Sequence, residues 1–144
     1  DEPTTALDVI VQSKILDLIQ SLRDSFKMSL ILITHDLSIV LERCDRVAVM
    51  YAGRIVEYAS ALELGRDPKH PYTQGLMQSI PNIELMDQRL KAITGSPPSM
   101  LDLPRGCHFW PRCPHVMKVC REKDPVAIDV GKGHLARCFL YGGD

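Results

Sequence analysis

Two groups of side chains in this sequence could do chemistry. Asp1 and Glu2 stand as an acidic pair, Asp8 follows after a short loop, and His35 comes directly after the apolar run 30–33 and Thr34. Phosphoryl transfer to water needs a carboxylate that holds a metal, a group that orients the attacking water, and a donor towards the terminal phosphate. Asp1, Glu2 and His35 are residues of those three types, in that order. The second group is Cys107, Cys113, Cys120 and Cys138, with the spacing C-x5-C-x6-C-x17-C. Four thiolates can ligate a tetrahedral zinc ion or an iron–sulfur cluster. Zinc sites favour closer cysteine pairs, so gaps of five and six suit a larger cluster better. Disulfides or free thiols are the remaining alternatives.

Taken singly, each residue has a plainer reading. An acidic pair before proline is usually a turn, and a lone histidine after a strand is usually structural. Asp8 is well suited to cap a helix. Cys44 reads as a small buried hydrophobe. His108, His115 and His134 read as surface residues or as neighbours of the cysteine site, because four cysteines already complete a ligand set. Arg105, Arg112, Lys118, Arg121 and Lys123 surround the first three cysteines in sequence, which predicts depressed thiol pKa values. Phe109 and Trp110 are expected to pack around the same site.

The elements that must position these groups are partly legible. Helical spacing of Val11, Ile15, Leu18, Leu22 and Phe26 predicts a helix over 9–26, with Thr5-x-x-Asp8 as a capping-box-like start. Segment 29–34 is continuously apolar and predicts a buried parallel strand. A short helix over 37–44 should follow. Segments 46–51 and 54–58 flank Ala52-Gly53 and predict a β-hairpin. His70-Pro71-Tyr72 should open a short helix, with Pro71 in its first turn and Pro81 closing it. Segment 95–99 is a loop by composition. Every proline but Pro3 lies at or beyond Pro68, and this shift places a boundary near 66–70.

Composition sets the outer limits. At 45% hydrophobic and 24% charged residues, the chain resembles an ordinary soluble protein. A formal charge of −1 gives no sign of nucleic-acid binding. No apolar run approaches the roughly 20 residues of a spanning helix.

Asp1-Glu2-Pro3-Thr4-Thr5-Ala6-Leu7-Asp8, followed by Ile33-Thr34-His35-Asp36-Leu37, resembles the end of an ABC-type ATPase core. The resemblance implies that Asp1 links to Mg²⁺, that Glu2 is the catalytic base and that His35 is the switch histidine. Asp8 would belong to the loop that meets the nucleotide across a dimer interface. His70-Pro71-Tyr72-Thr73-Gln74-Gly75-Leu76 with Pro81 resembles the extension of oligopeptide and dipeptide importer ATP-binding subunits. So does Gly106-Cys107-His108-Phe109-Trp110-Pro111-Arg112-Cys113-Pro114.

That family implies a [4Fe–4S] cluster on Cys107, Cys113, Cys120 and Cys138, with zinc as the alternative. It also implies a second ABC ATPase subunit and transmembrane permease subunits as partners, at the cytoplasmic face of the membrane. The expected fold is α/β. Residues 1–66 would form the C-terminal part of a RecA-like P-loop NTPase core, and 67–144 a small irregular metal-binding domain. The intact subunit would hydrolyse ATP with Mg²⁺ to power peptide import. Two other readings are an interaction module stapled by zinc and a subunit of a nickel or small-solute importer. The sequence holds no G-x-x-x-x-G-K-[ST] phosphate loop and no L-S-G-G-Q signature. The expectation is therefore a C-terminal piece of a larger subunit, inactive alone and prone to self-association.

Overall fold

The computed structural model describes residues 1–80 and 92–142; the expected helix stop at Pro81 lies outside them. Helix α1 spans Val9–Phe26, as its apolar spacing predicts. Its N-cap is Asp8, whose Oδ1 accepts from Ile10 N at 3.0 Å and Val11 N at 2.9 Å. Lys27 ends the helix in a left-handed conformation, φ 51°. Helix α2 spans Leu37–Arg43 and is capped by Asp36. Arg43 ties the two helices together through Asp17.

Segment 29–34 does not form the expected strand: among the described residues it carries no ladder. Ile31 is 87% exposed and Ile33 55%, so the run is not buried either. A strand exists only where a neighbour supplies its hydrogen bonds. The one backbone bond recorded here runs from Glu2 N to Ile33 O, at 2.8 Å.

Strands β1 (Arg46–Tyr51) and β2 (Arg54–Ser60) form the predicted antiparallel hairpin. Ala52 and Gly53 both take positive φ, 44° and 76°, as the two centres of a primed hairpin turn. Along β1, Val47, Val49 and Tyr51 face inwards with a period of two. The register slips once: Val49 pairs with Glu57 and Met50 with Ile55, leaving Val56 as an extra residue. This bulge turns Val56 and Glu57 to the same side, and both are buried.

Helix α3 (Ala61–Arg66) follows directly, and α4 (Pro71–Gln78) starts at the His70 cap with Pro71 in its first turn. Two short strands complete a mixed α/β structure: β3 (Ile128–Asp129) and β4 (Leu135–Ala136). The antiparallel sheet has the order β1-β2-β4-β3. Its apolar core joins Val47, Val49, Tyr51, Val56 and Leu64 to Phe109. Between 104 and 142 the described chain runs mostly through loops, with 3-10 turns at Trp110–Arg112, Lys118–Arg121 and Phe139–Tyr141.

Candidate functional site

The backbone bond from Glu2 to Ile33 sets the geometry of the first site. It carries the Glu2 side chain to His35, where Glu2 Oε1 and His35 Nδ1 lie 2.7 Å apart. The other carboxylate oxygen accepts from Thr5 Oγ1 at 2.6 Å. Thr5 therefore serves Glu2, while Asp8 alone caps α1. Glu2 itself sits at a positive φ of 41°, as does Ala6 at 64°. The Thr5 hydroxyl and then His35 hold the Glu2 carboxyl below its usual range, while Glu2 raises the His35 imidazole above its ordinary 6.5. Both side chains stay open to solvent. Asp1 is exposed beside them. His35 sits between Thr34, whose hydroxyl accepts from Asp36 N at 3.1 Å, and the Asp36 cap of α2. The sequence pairing of Glu2 with His35 is thus a physical contact. Asp8 is engaged with its own helix.

The second site gathers the four cysteines. The Cys107 thiol feels Cys120, Cys138 and Cys113, and the Cys138 thiol feels Cys113 and Cys120. None of the five cysteines is bridged. Cys107 N donates to Cys120 O at 2.9 Å, which clamps the first and third cysteine segments together. Gly106 makes that clamp possible. At φ 74°, an added Cβ would press on the Cys120 carbonyl oxygen and lie 3.0 Å from the Lys123 carbonyl oxygen. Among the described residues, no three His, Cys, Asp or Glu side chains are grouped closely enough to hold a single metal ion.

Several expectations about this region are corrected. The thiol pKa values are raised, not depressed: burial pushes Cys107 up to about 11 and also raises Cys113 and Cys138. Two of the nearby cations are engaged elsewhere. Arg112 donates to Thr94 O, Ile93 O and Tyr51 Oη, and Arg121 lies over the Trp110 ring at 4.9 Å. Phe109 packs into the hairpin core, 5.1 Å from the Tyr51 ring, with Cys107 and Cys113 against that same core. Cys44 is only half-buried.

His134 is not a surface residue: it is 4% exposed and meets Glu57, itself 1% exposed, at 2.7 Å. Sequence reasoning missed this pair and the buried His70 beside it. A glutamate inside an otherwise apolar strand was the available signal. His108 lies nearer the surface, with Nδ1 2.8 Å from the Ala52 carbonyl oxygen at the hairpin turn.

Residues 56–120 match the family described as "Oligopeptide/dipeptide transporter, C-terminal region". The chain is 49% identical over 141 residues to the oligopeptide transport ATP-binding protein AppD of Bacillus subtilis, covering 98% of this chain and 43% of that protein. It is 45% identical over 139 residues to the oligopeptide transport ATP-binding protein OppD of Escherichia coli, covering 96% and 41%. It is 44% identical over 142 residues to the dipeptide transport ATP-binding protein DppD of Caldanaerobacter subterraneus, covering 98% and 43%. Over nearly its whole length the chain is similar to ATP-binding subunits of oligopeptide and dipeptide ABC transporters, and it spans about two fifths of the length of these relatives.

Proposed function

We propose that this chain works within an ATP-hydrolysing subunit that powers import of oligopeptides or dipeptides. The 2.7 Å contact between Glu2 and His35 carries the reading. Glu2 orients the attacking water and takes its proton, and His35 holds Glu2 in place and faces the terminal phosphate. The exposed Asp1 carboxylate would hold Mg²⁺, which neutralises phosphate charge when bound. Asp8 contributes at the interface with a second ATPase subunit. ATP needs a phosphate-cradling backbone that this sequence does not contain, so the chain alone does not turn over nucleotide.

The subunit works beneath transmembrane permease subunits at the cytoplasmic face of the membrane. Among the described residues no helix is long and apolar enough to cross one. Residues 1–66 act as the end of a RecA-like core and 67–144 as its extension.

Cys107, Cys113, Cys120 and Cys138 hold a [4Fe–4S] cluster in this reading. The sequence spacing of the four thiols, with gaps of five and six, favours a cluster over zinc, and the thiols lie within electrostatic reach of one another. When bound, the cluster would brace a segment that has little regular structure of its own. The buried thiols must lose their protons to bind it, so loading is favoured by rising pH.

The decisive experiment measures ATP turnover and nucleotide binding by the full-length subunit assembled with its permease. Glu2→Gln should lower turnover by about 10²-fold or more while ATP still binds. Turnover within about twofold of the wild type would remove the assignment.

A further inference from the structure

Outside the two sites, the described residues contain one strongly built polar cluster. The Glu57 carboxylate is fully enclosed and every contact it makes crosses to another segment. Oε1 accepts from Lys69 N at 2.6 Å and from His134 Nε2 at 2.7 Å, and Oε2 accepts from His70 N at 2.9 Å. Backbone pairing runs in parallel with these bonds. Glu57 is paired with Ala136 in the sheet, and Arg137 N donates to Val56 O at 2.8 Å. Cys138 follows immediately and lies within electrostatic reach of Glu57. Tyr141 closes the same region by donating to Lys69 O at 2.9 Å. One carboxylate thus joins the hairpin, the amino end of α4 and the strand that delivers the last cysteine.

A buried acid is costly unless its oxygens are satisfied, and removing one partner leaves the others with unmet hydrogen bonds. Satisfying Glu57 from three segments makes their placement mutually dependent. We propose that Glu57 is the positioning residue of the four-cysteine site: through His134 it sets Cys138, and through the Lys69 and His70 amides it couples that site to the hairpin and α4. The consequence for loading the site rests on the cluster reading above; the positioning itself does not. Coupling of this kind is reciprocal, so filling the cysteine site also firms the hairpin.

The test uses the 144-residue chain, first metal-free and reduced. Alkylation of each cysteine is followed by mass spectrometry, with amide exchange across 54–60 and 71–78. The bonds lost in Glu57→Gln are those of a buried charged acceptor, so Cys138 alkylation should rise by about tenfold or more. The β2 and α4 amides should exchange faster together, while Cys44 stays unchanged. The exposed Glu122→Gln should behave as wild type. The wild type should also show a downfield His134 Nε2–H proton resonance that is lost in Glu57→Gln. If Glu57→Gln does not fold, His134→Asn decides: it removes only the strand contact, so Cys138 should loosen while the α4 amides hold.

Cys138 alkylation within about twofold of the wild type in a folded variant would overturn the proposal. In a second arm, ferrous and ferric iron in equal amounts are added with sulfide, without oxygen, which supplies the two Fe²⁺ and two Fe³⁺ that a [4Fe–4S] cluster holds. Iron uptake by the wild type with slower exchange in 54–60, both weakened by Glu57→Gln, supports the coupling. Iron uptake with no change in 54–60 overturns it. No iron uptake by the wild type removes the cluster reading and leaves the thiol result to decide Glu57.

Discussion

His70 shows how burial converts one side chain into a pH dependence. It is 1% exposed, its Nδ1 accepts from Tyr72 N at 3.1 Å as the cap of α4, and the Phe109 ring lies 5.6 Å away. Burial lowers its pKa from the ordinary 6.5 to about 4. The folded form therefore binds a proton less readily than the unfolded chain. The stability from a neutral His70 is complete above pH 6.5 and is lost as pH falls from there towards 4. Integrated across that window, the loss amounts to about 3 kcal/mol. Urea unfolding at pH 7 and at 4.5 should show a large drop in midpoint. His70→Asn, which keeps a capping oxygen, should flatten it. The sequence announced the cap through His70-Pro71, but not the enclosure, because burial of a loop histidine depends on what folds over it. Glu2 and His35 were legible because each sits at the end of a recognisable stretch. Glu57 was not, because a single bulge at Val56 decides which way it points.

At the scale of elements, the patterns that are complete within one segment were the ones that read correctly. Helix α1 carries its own period and cap, and the hairpin carries its own turn pair. Segment 29–34 was misread because an apolar run states a preference, while a strand needs partners. The two-residue strands β3 and β4 are too short to leave a period. The cysteine segment depends instead on local fit, above all at Gly106. Gly106→Ala would force a left-handed φ on a side-chain-bearing residue and push its Cβ into the Cys120 backbone. Strain and overpacking together should cost on the order of 3 kcal/mol. Thermal melts should fall accordingly, and Cys107 and Cys120 should alkylate faster. Gly131→Ala, also at positive φ (123°) but with nothing within 4 Å of its added Cβ, reports the backbone strain without the overpacking.

The molecule as a whole keeps its polar and apolar surfaces unevenly distributed. The hairpin half is closed around Phe109, whereas α1 buries only Leu16 and leaves Val9 82% and Phe26 71% exposed, and Ile31 in the segment after it is 87% exposed. Leu16, Ile19, Leu30, Leu32 and Cys44 line a small cavity of about 30 Å³ between α1 and segment 30–32. So much exposed apolar surface on one side drives association. Sedimentation of this chain should show a monomer giving way to larger species as concentration rises, and the pair Phe26→Glu and Ile31→Lys should restore the monomer. A concentration-independent monomer would contradict this. The sheet has a different consequence, in the order of synthesis. Glu57 and His134 lie 77 residues apart, and β4 arrives beside β2 only after that stretch has been made. At about 5–20 residues per second, the ribosome leaves the outer edge of β2 without its partner for roughly 4–15 seconds. During that interval the hairpin offers an unpaired strand edge, the kind of surface that other nascent chains and chaperones bind. Slow codons placed between the hairpin and β4 would lengthen that exposure, and faster ones would shorten it.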